Sequence, residues 1–155
     1  MNRSISTLTF FLLLTSAAWS QEKNVNSPVE PIPNCDTAYS WYYSVDGKYP
    51  MASESLLNQL SVTASNLKNV RGSGYITFRF IINCRGQITK DLEILQTDST
   101  YKKFRFDQTL VDTLKAFVKS LDKWNIATFE NGKPFAYRAF MTFKINDGKV
   151  VNIIP

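Results

Sequence analysis

Two kinds of hydrophobic spacing divide this chain. Between residues 75 and 82 apolar and polar positions alternate, with Ile76, Phe78, Phe80 and Ile82 on one side and Tyr75, Thr77 and Arg79 on the other. A period of two marks a strand buried on one face. The turn Asn83-Cys84-Arg85-Gly86 follows, and residues 87–95 continue with Ile88, Leu92 and Ile94 inward, so an antiparallel hairpin is expected. The spacing becomes helical over residues 107–124, where Leu110, Val111, Leu114, Phe117, Val118 and Leu121 share one side and Lys115, Lys119 and Asp122 take the other. Asp107 is placed to cap this helix, and Trp124 to end it in register with the core. Residues 53–67 show the same spacing through Leu56, Leu57, Leu60, Ala64 and Leu67, with Ser53 as the expected cap. Alternation returns over residues 135–145, and Asn146-Asp147-Gly148-Lys149 turns the chain into a short last strand at 150–154. This order predicts an α+β domain of two layers, an antiparallel sheet of three to four strands with two helices on one face.

The first 34 residues do not share these patterns. Arg3, an apolar stretch over residues 8–19 and the small-residue signature Ala18-Trp19-Ser20 read as a cleavable export signal over residues 1–20. A spanning helix needs about 20 predominantly apolar residues, so a short uncleaved anchor in the inner membrane is the lesser alternative. Residues 21–34, with Pro28, Pro31 and Pro33, read as an extended linker leading into a domain over 35–155. Export to an oxidising compartment turns Cys35 and Cys84 into an expected disulfide, the alternative being two free thiols.

Composition narrows the chemistry. The chain has no histidine, which removes Ser-His and Cys-His nucleophile pairs and imidazole metal sites. It has no Gly-x-Gly-x-x-Gly and no Gly-Lys-Ser/Thr phosphate loop, and two cysteines cannot build a four-ligand zinc site. No cofactor and no metal are expected. Asp91 and Glu93 are an acid–base pair by spacing, but the inward Leu92 between them reads as the solvated side of an amphipathic strand. A binding domain is therefore expected rather than an enzyme. The run holding Tyr39, Trp41, Tyr42, Tyr43 and Tyr49 is the densest aromatic cluster, read mainly as packing, with a docking surface as the alternative. Residues 101–155 carry ten Lys and Arg against five Asp and Glu. That basic end, with Lys102, Lys103 and Arg105, is expected to be a solvated face, with cell wall or anionic lipid as the alternative contact. Nucleic acid is not an expected partner of an exported chain.

Several motifs carry a resemblance. Tyr49-Pro50-Met51-Ala52 resembles the Tyr-Pro-x-x-Ala that opens the C-terminal domain of TonB-like proteins. Residues 74–83 with Gly86-Gln87-Ile88 resemble that family's first hairpin, and Trp124, Ala127 and then Asn131-Gly132-Lys133-Pro134 are similar to its Trp-x-Pro-Ala…Asn-Gly-Lys-Pro signature. The matches run in order across residues 49–155. The resemblance implies a periplasmic protein-binding module that docks extended peptides of outer-membrane transport receptors by adding a strand to an open sheet edge. In the family the last long strand supplies that edge, which corresponds here to residues 135–145: Tyr137, Arg138, Ala139, Met141, Thr142 and Phe143. The alternative at the edge is that residues 150–154 fold back and cover it. The alternative in function is an envelope protein binding cell wall or anionic lipid, with no part in transport.

Overall fold

The computed structural model describes Cys35 and residues 37–63, 71–89 and 92–155. The expected signal and linker lie outside the described residues, as do Ala64, Leu67 and Asp91. The chain forms β1 (Ala38–Trp41), a single 3-10 turn (Tyr42–Ser44), α1 (Ser53–Thr63), β2 (Gly74–Ile82), β3 (Glu93–Asp98), α2 (Gln108–Ser120), β4 (Ala127–Thr128), β5 (Pro134–Asn146) and β6 (Lys149–Ile154). This is an α+β fold with an open, mixed sheet in the order β1-β5-β2-β3, to which β4 and β6 add by pairing with β5.

The sheet has six strands where three to four were expected, and it is mixed because β1 runs parallel to β5. The two strands that periodicity missed are the shortest. β1 has four residues and β4 has two, too few to show a period of their own. The hairpin is present but its second strand is displaced. Ile88 makes only an isolated bridge to Ile82, and the ladder with β2 runs from Arg79↔Glu93 to Gly74↔Asp98. Its turn is held by Asn83, whose side-chain oxygen accepts from the amides of Arg85 and Gln87 at 2.9 and 3.0 Å. Gly86 completes it with φ 74°, where a Cβ would lie 3.0 Å from the Trp124 carbonyl oxygen. The disulfide joins Cys84 in this turn to Cys35, three residues before β1.

Core formation follows the alternation closely. Ile76, Phe78, Phe80 and Ile82 of β2 and Tyr137, Ala139, Met141, Phe143 and Ile145 of β5 are all buried and share one face. Both helices cover that face. α2 inserts Leu110, Val111, Leu114, Phe117 and Val118, with Phe117 edge-on to Phe143 at 6.2 Å. Each such side chain contributes about 1.5–3 kcal/mol through burial. Asp107 caps α2 as expected, accepting from the Thr109 amide at 2.8 Å. The helix ends at Ser120, short of Trp124. That residue is nevertheless buried in the following segment, between Tyr49 at 4.9 Å and Phe80 at 5.2 Å.

Ser53 is not the cap of α1. It is the first helical residue, and its hydroxyl bridges to β6, donating to Asn152 Oδ1 at 2.5 Å and accepting from the Ile153 amide at 3.2 Å. The hydroxyl thus ties the first helix to the last strand rather than closing its own first turn.

Candidate functional site

The second face of the sheet carries the side chains that point away from the helices. Ladder partners place them in rows: Thr97, Tyr75 and Lys144; then Leu95, Thr77 and Thr142; then Glu93, Arg79 and Phe140; then Ile81 and Arg138. Among the described residues neither helix covers this face. The two threonines share a hydrogen bond of 2.9 Å between Oγ1 atoms, and Arg79 meets Glu93 at 3.4 Å. That ion pair is solvated on both sides and is worth at most about 1 kcal/mol; its effect is to fix where the two side chains point.

Aromatic groups stand at both ends. At one end, Tyr101 stacks on Tyr75 with ring centroids 5.2 Å apart and planes within 4°. Tyr101 has φ 63°, a conformation uncommon for a bulky side chain. A tight turn holds it there, built on Asp98, whose carboxylate accepts from the Thr100 hydroxyl, the Thr100 amide and the Lys102 amide. Those bonds, the Thr100 hydroxyl first, hold the Asp98 carboxyl below the usual carboxylate range. At the other end, β1 brings Trp41 beside Arg138, and the guanidinium lies 5.4 Å from the centroid of the indole. Tyr43 stacks on Trp41 at 6.4 Å, and Tyr42 meets Phe140 edge-on at 4.7 Å. At the Trp41 end is a depression of about 190 Å³ lined by Trp41, Arg79, Phe80, Ile81, Glu93, Arg138 and Ala139.

The aromatic run of residues 39–49 is therefore divided in its duties. Tyr49 belongs to the core, Trp41 and Tyr42 are half-buried, and Tyr39 and Tyr43 are exposed. Glu93 pairs with Arg79, whereas its expected companion Asp91 is outside the described residues. Among the described residues no group of three or more Cys, Asp or Glu side chains is arranged to hold a metal ion. Lys102, Lys103 and Arg105 are exposed, and Lys103 bridges Thr97 along the outer side of β3.

The edge expected over residues 135–145 is not open. On one side of β5, β2 pairs from Ile82↔Tyr137 to Gly74↔Ile145. On the other side, β1 lies beside Ala136, Tyr137 and Arg138, and β6 beside Thr142, Phe143 and Lys144. The fold-back of the last strand is thus the arrangement present. Its cause is local: Asp147 and Gly148 both have positive φ, 46° and 72°, as a tight type I′ reversal demands. The side chains of the expected site are also divided. Tyr137, Ala139, Met141 and Phe143 enter the core, while Arg138 and Thr142 stand on the uncovered face. Tyr137 donates its hydroxyl to the Asn125 carbonyl at 2.8 Å, and burial pushes its pKa up to about 12.

The sheet ends elsewhere. The outer side of β3 is partly occupied by the following turn, through Asp98 N–H to the Lys102 carbonyl and Phe104 N–H to the Gln96 carbonyl. β1 is the terminal strand on the other side, and among the described residues no strand pairs with its far edge. Sequence reasoning identified Trp41 and Tyr43 only as part of an aromatic run, and missed Arg79, Ile81 and Phe140 as site residues. The signal for Arg79 was its place on the polar side of an alternating strand; none announced β1 as its neighbour across β5. No helix among the described residues is long and apolar enough to cross a membrane. Comparison with protein-family models, with curated proteins and with solved structures gives no match.

Proposed function

We propose that this domain is an exported, non-enzymatic protein-binding module that docks an extended peptide by strand addition, the role that its resemblance to the TonB C-terminal domain implies. The observation that carries the reading is the terminal position of β1, a short edge strand whose far side has no ladder partner among the described residues. An added strand there gains main-chain hydrogen bonds, and its alternate side chains reach the uncovered face beside Trp41 and Tyr43. The disulfide between Cys35 and Cys84 favours an oxidising compartment such as the periplasm. An outer-membrane transport receptor is the partner class that this reading assigns.

The test is selection from a displayed library of nine-residue peptides on the oxidised protein, followed by amide exchange with a selected peptide bound. Protection that appears at Tyr39, Ser40 and Trp41 is the expected result. A library from which nothing binds, or protection that leaves β1 unchanged, refutes the reading.

A further inference from the structure

The uncovered face is not electrically neutral. Among the described residues of β2, β3 and β5, Arg79, Arg138 and Lys144 stand on it against Glu93, and that carboxylate pairs with Arg79. Arg138 has no ion pair among the described residues. Its guanidinium lies over the Trp41 ring, 5.4 Å from the centroid, and the residue is exposed, so its N–H donors are open to solvent. The depression beside it, about 190 Å³, is below the 300–1,000 Å³ range of small-molecule pockets. Its size suits a single side chain. Its walls combine apolar surface from Trp41 and Ile81 with the Arg79–Glu93 ion pair and the Arg138 guanidinium, so two cations there face one carboxylate and the surplus charge is that of Arg138.

We infer that this depression is a specificity pocket for one acidic side chain, Asp or Glu, of an extended peptide, and that Arg138 reads its carboxylate. The inference rests on the peptide-docking reading above and adds the chemistry of the partner. A guanidinium binds a carboxylate through two parallel N–H···O bonds, and stacking on an indole removes much of the freedom that such binding would otherwise cost. Arg79 is the weaker reader, because Glu93 beside it offsets its charge. Lys144 lies three ladder rows from Arg138, at the Tyr75 end of the face and beside β6 rather than β1. A second copy of the chain packed face to face is disfavoured, since it would set Arg138 and Lys144 against their own like charges.

The same nine-residue library, run on wild type, Arg138→Gln, Arg138→Glu and Lys119→Gln, tests the inference. Lys119→Gln removes equal charge from an exposed site on α2, away from the sheet face. The wild-type and Lys119→Gln pools should be enriched in Asp or Glu at one position. Arg138→Gln should abolish that enrichment and weaken a selected acidic peptide by about tenfold or more, as expected for a lost charge-assisted hydrogen bond. Arg138→Glu should shift the enriched position to Lys or Arg. Because Arg138 is exposed, all variants should melt as wild type does. Pools that bind with no acidic preference, or a preference unmoved by Arg138→Gln, overturn the inference and leave peptide docking standing. No bound peptide from any pool overturns both. Binding to phosphatidylglycerol vesicles that Arg138→Gln abolishes, with no peptide selected, assigns the pocket to a lipid surface and likewise overturns it.

Discussion

Adding one methyl group at Gly47 should destabilise this domain by about 2 kcal/mol, within the 1–3 kcal/mol usual for overpacking a core. Gly47 does not have a positive φ, so an alanine there meets no backbone penalty of its own. The obstacle is Tyr137. A Cβ at position 47 would lie 2.4 Å from Cε2 and 2.8 Å from Cζ of that ring, where carbon atoms rest at about 3.5–4.0 Å. The ring has no free direction in which to move. It is fully buried, and its hydroxyl is bonded to the Asn125 carbonyl at 2.8 Å. The other course is displacement of the 45–48 loop, which strains the bond from the Gly47 amide to the Tyr42 carbonyl at 2.7 Å. For a domain of this size about 2 kcal/mol corresponds to a fall of roughly 8 °C in Tm. Near-UV circular dichroism melts would read it. The same substitution in a Tyr137→Leu background, where the ring is gone, should cost less than about 0.5 kcal/mol, so the two effects are strongly non-additive. An unchanged melting temperature for Gly47→Ala, or an equal cost in both backgrounds, would refute the reasoning.

Other expectations follow from the same core and its staple. The raised pKa of Tyr137 means that the folded chain keeps a proton which the unfolded chain releases near pH 10, so this stability is whole below pH 10 and is lost as pH climbs toward 12. Tyr137→Phe should flatten that decline in urea midpoints measured across the interval, and an unaltered slope would contradict it. Reducing the Cys35–Cys84 bond, which closes a separation of 49 residues, should cost about 4 kcal/mol in the chain-entropy account; denatured but unreduced protein should show no titratable thiol. Trp124→Ala should cost roughly 3–5 kcal/mol. Among the described residues its Nε1 is buried without a hydrogen-bond partner, so Trp124→Phe sheds an unsatisfied donor and should cost far less. Equal melting for the two variants would mean that the indole nitrogen is not the strained part of this packing.

Legibility in the sequence tracked how local the cause was. α2 was readable to its cap because Asp107, Leu110, Leu114 and Phe117 all act within a few turns of one another. β2 and β5 were readable because one face of each is fully buried. β3 was misplaced because its inward positions past Ile94 are polar. Gln96, there, uses its side chain to accept from the Phe106 amide at 2.8 Å, a role that hydropathy does not register. The role of Ser53 depended on Ile153, 100 residues away. The site failed for the same reason. Periodicity put Arg138 on the right face of its strand but says nothing about which strand lies alongside, and without β1 the pairing of Arg138 with Trp41 has no antecedent in the chain.

The position of β5 between β1 and β2 constrains the order of assembly. β5 begins at Pro134 and carries ladders to β1, β2, β4 and β6, so β1, β2 and β4 all wait for a partner that leaves the ribosome after them. Until then β1 has no strand to pair with, β2 has only β3, and α1 lacks the β6 backbone that Ser53 binds. Such long-range closure is slow and leaves apolar strand surface exposed meanwhile. Cys35 and Cys84 both emerge well before Pro134. Their bond holds the start of β1 near the end of β2 while the slot between them is still vacant, and β5 enters a frame whose width has already been set.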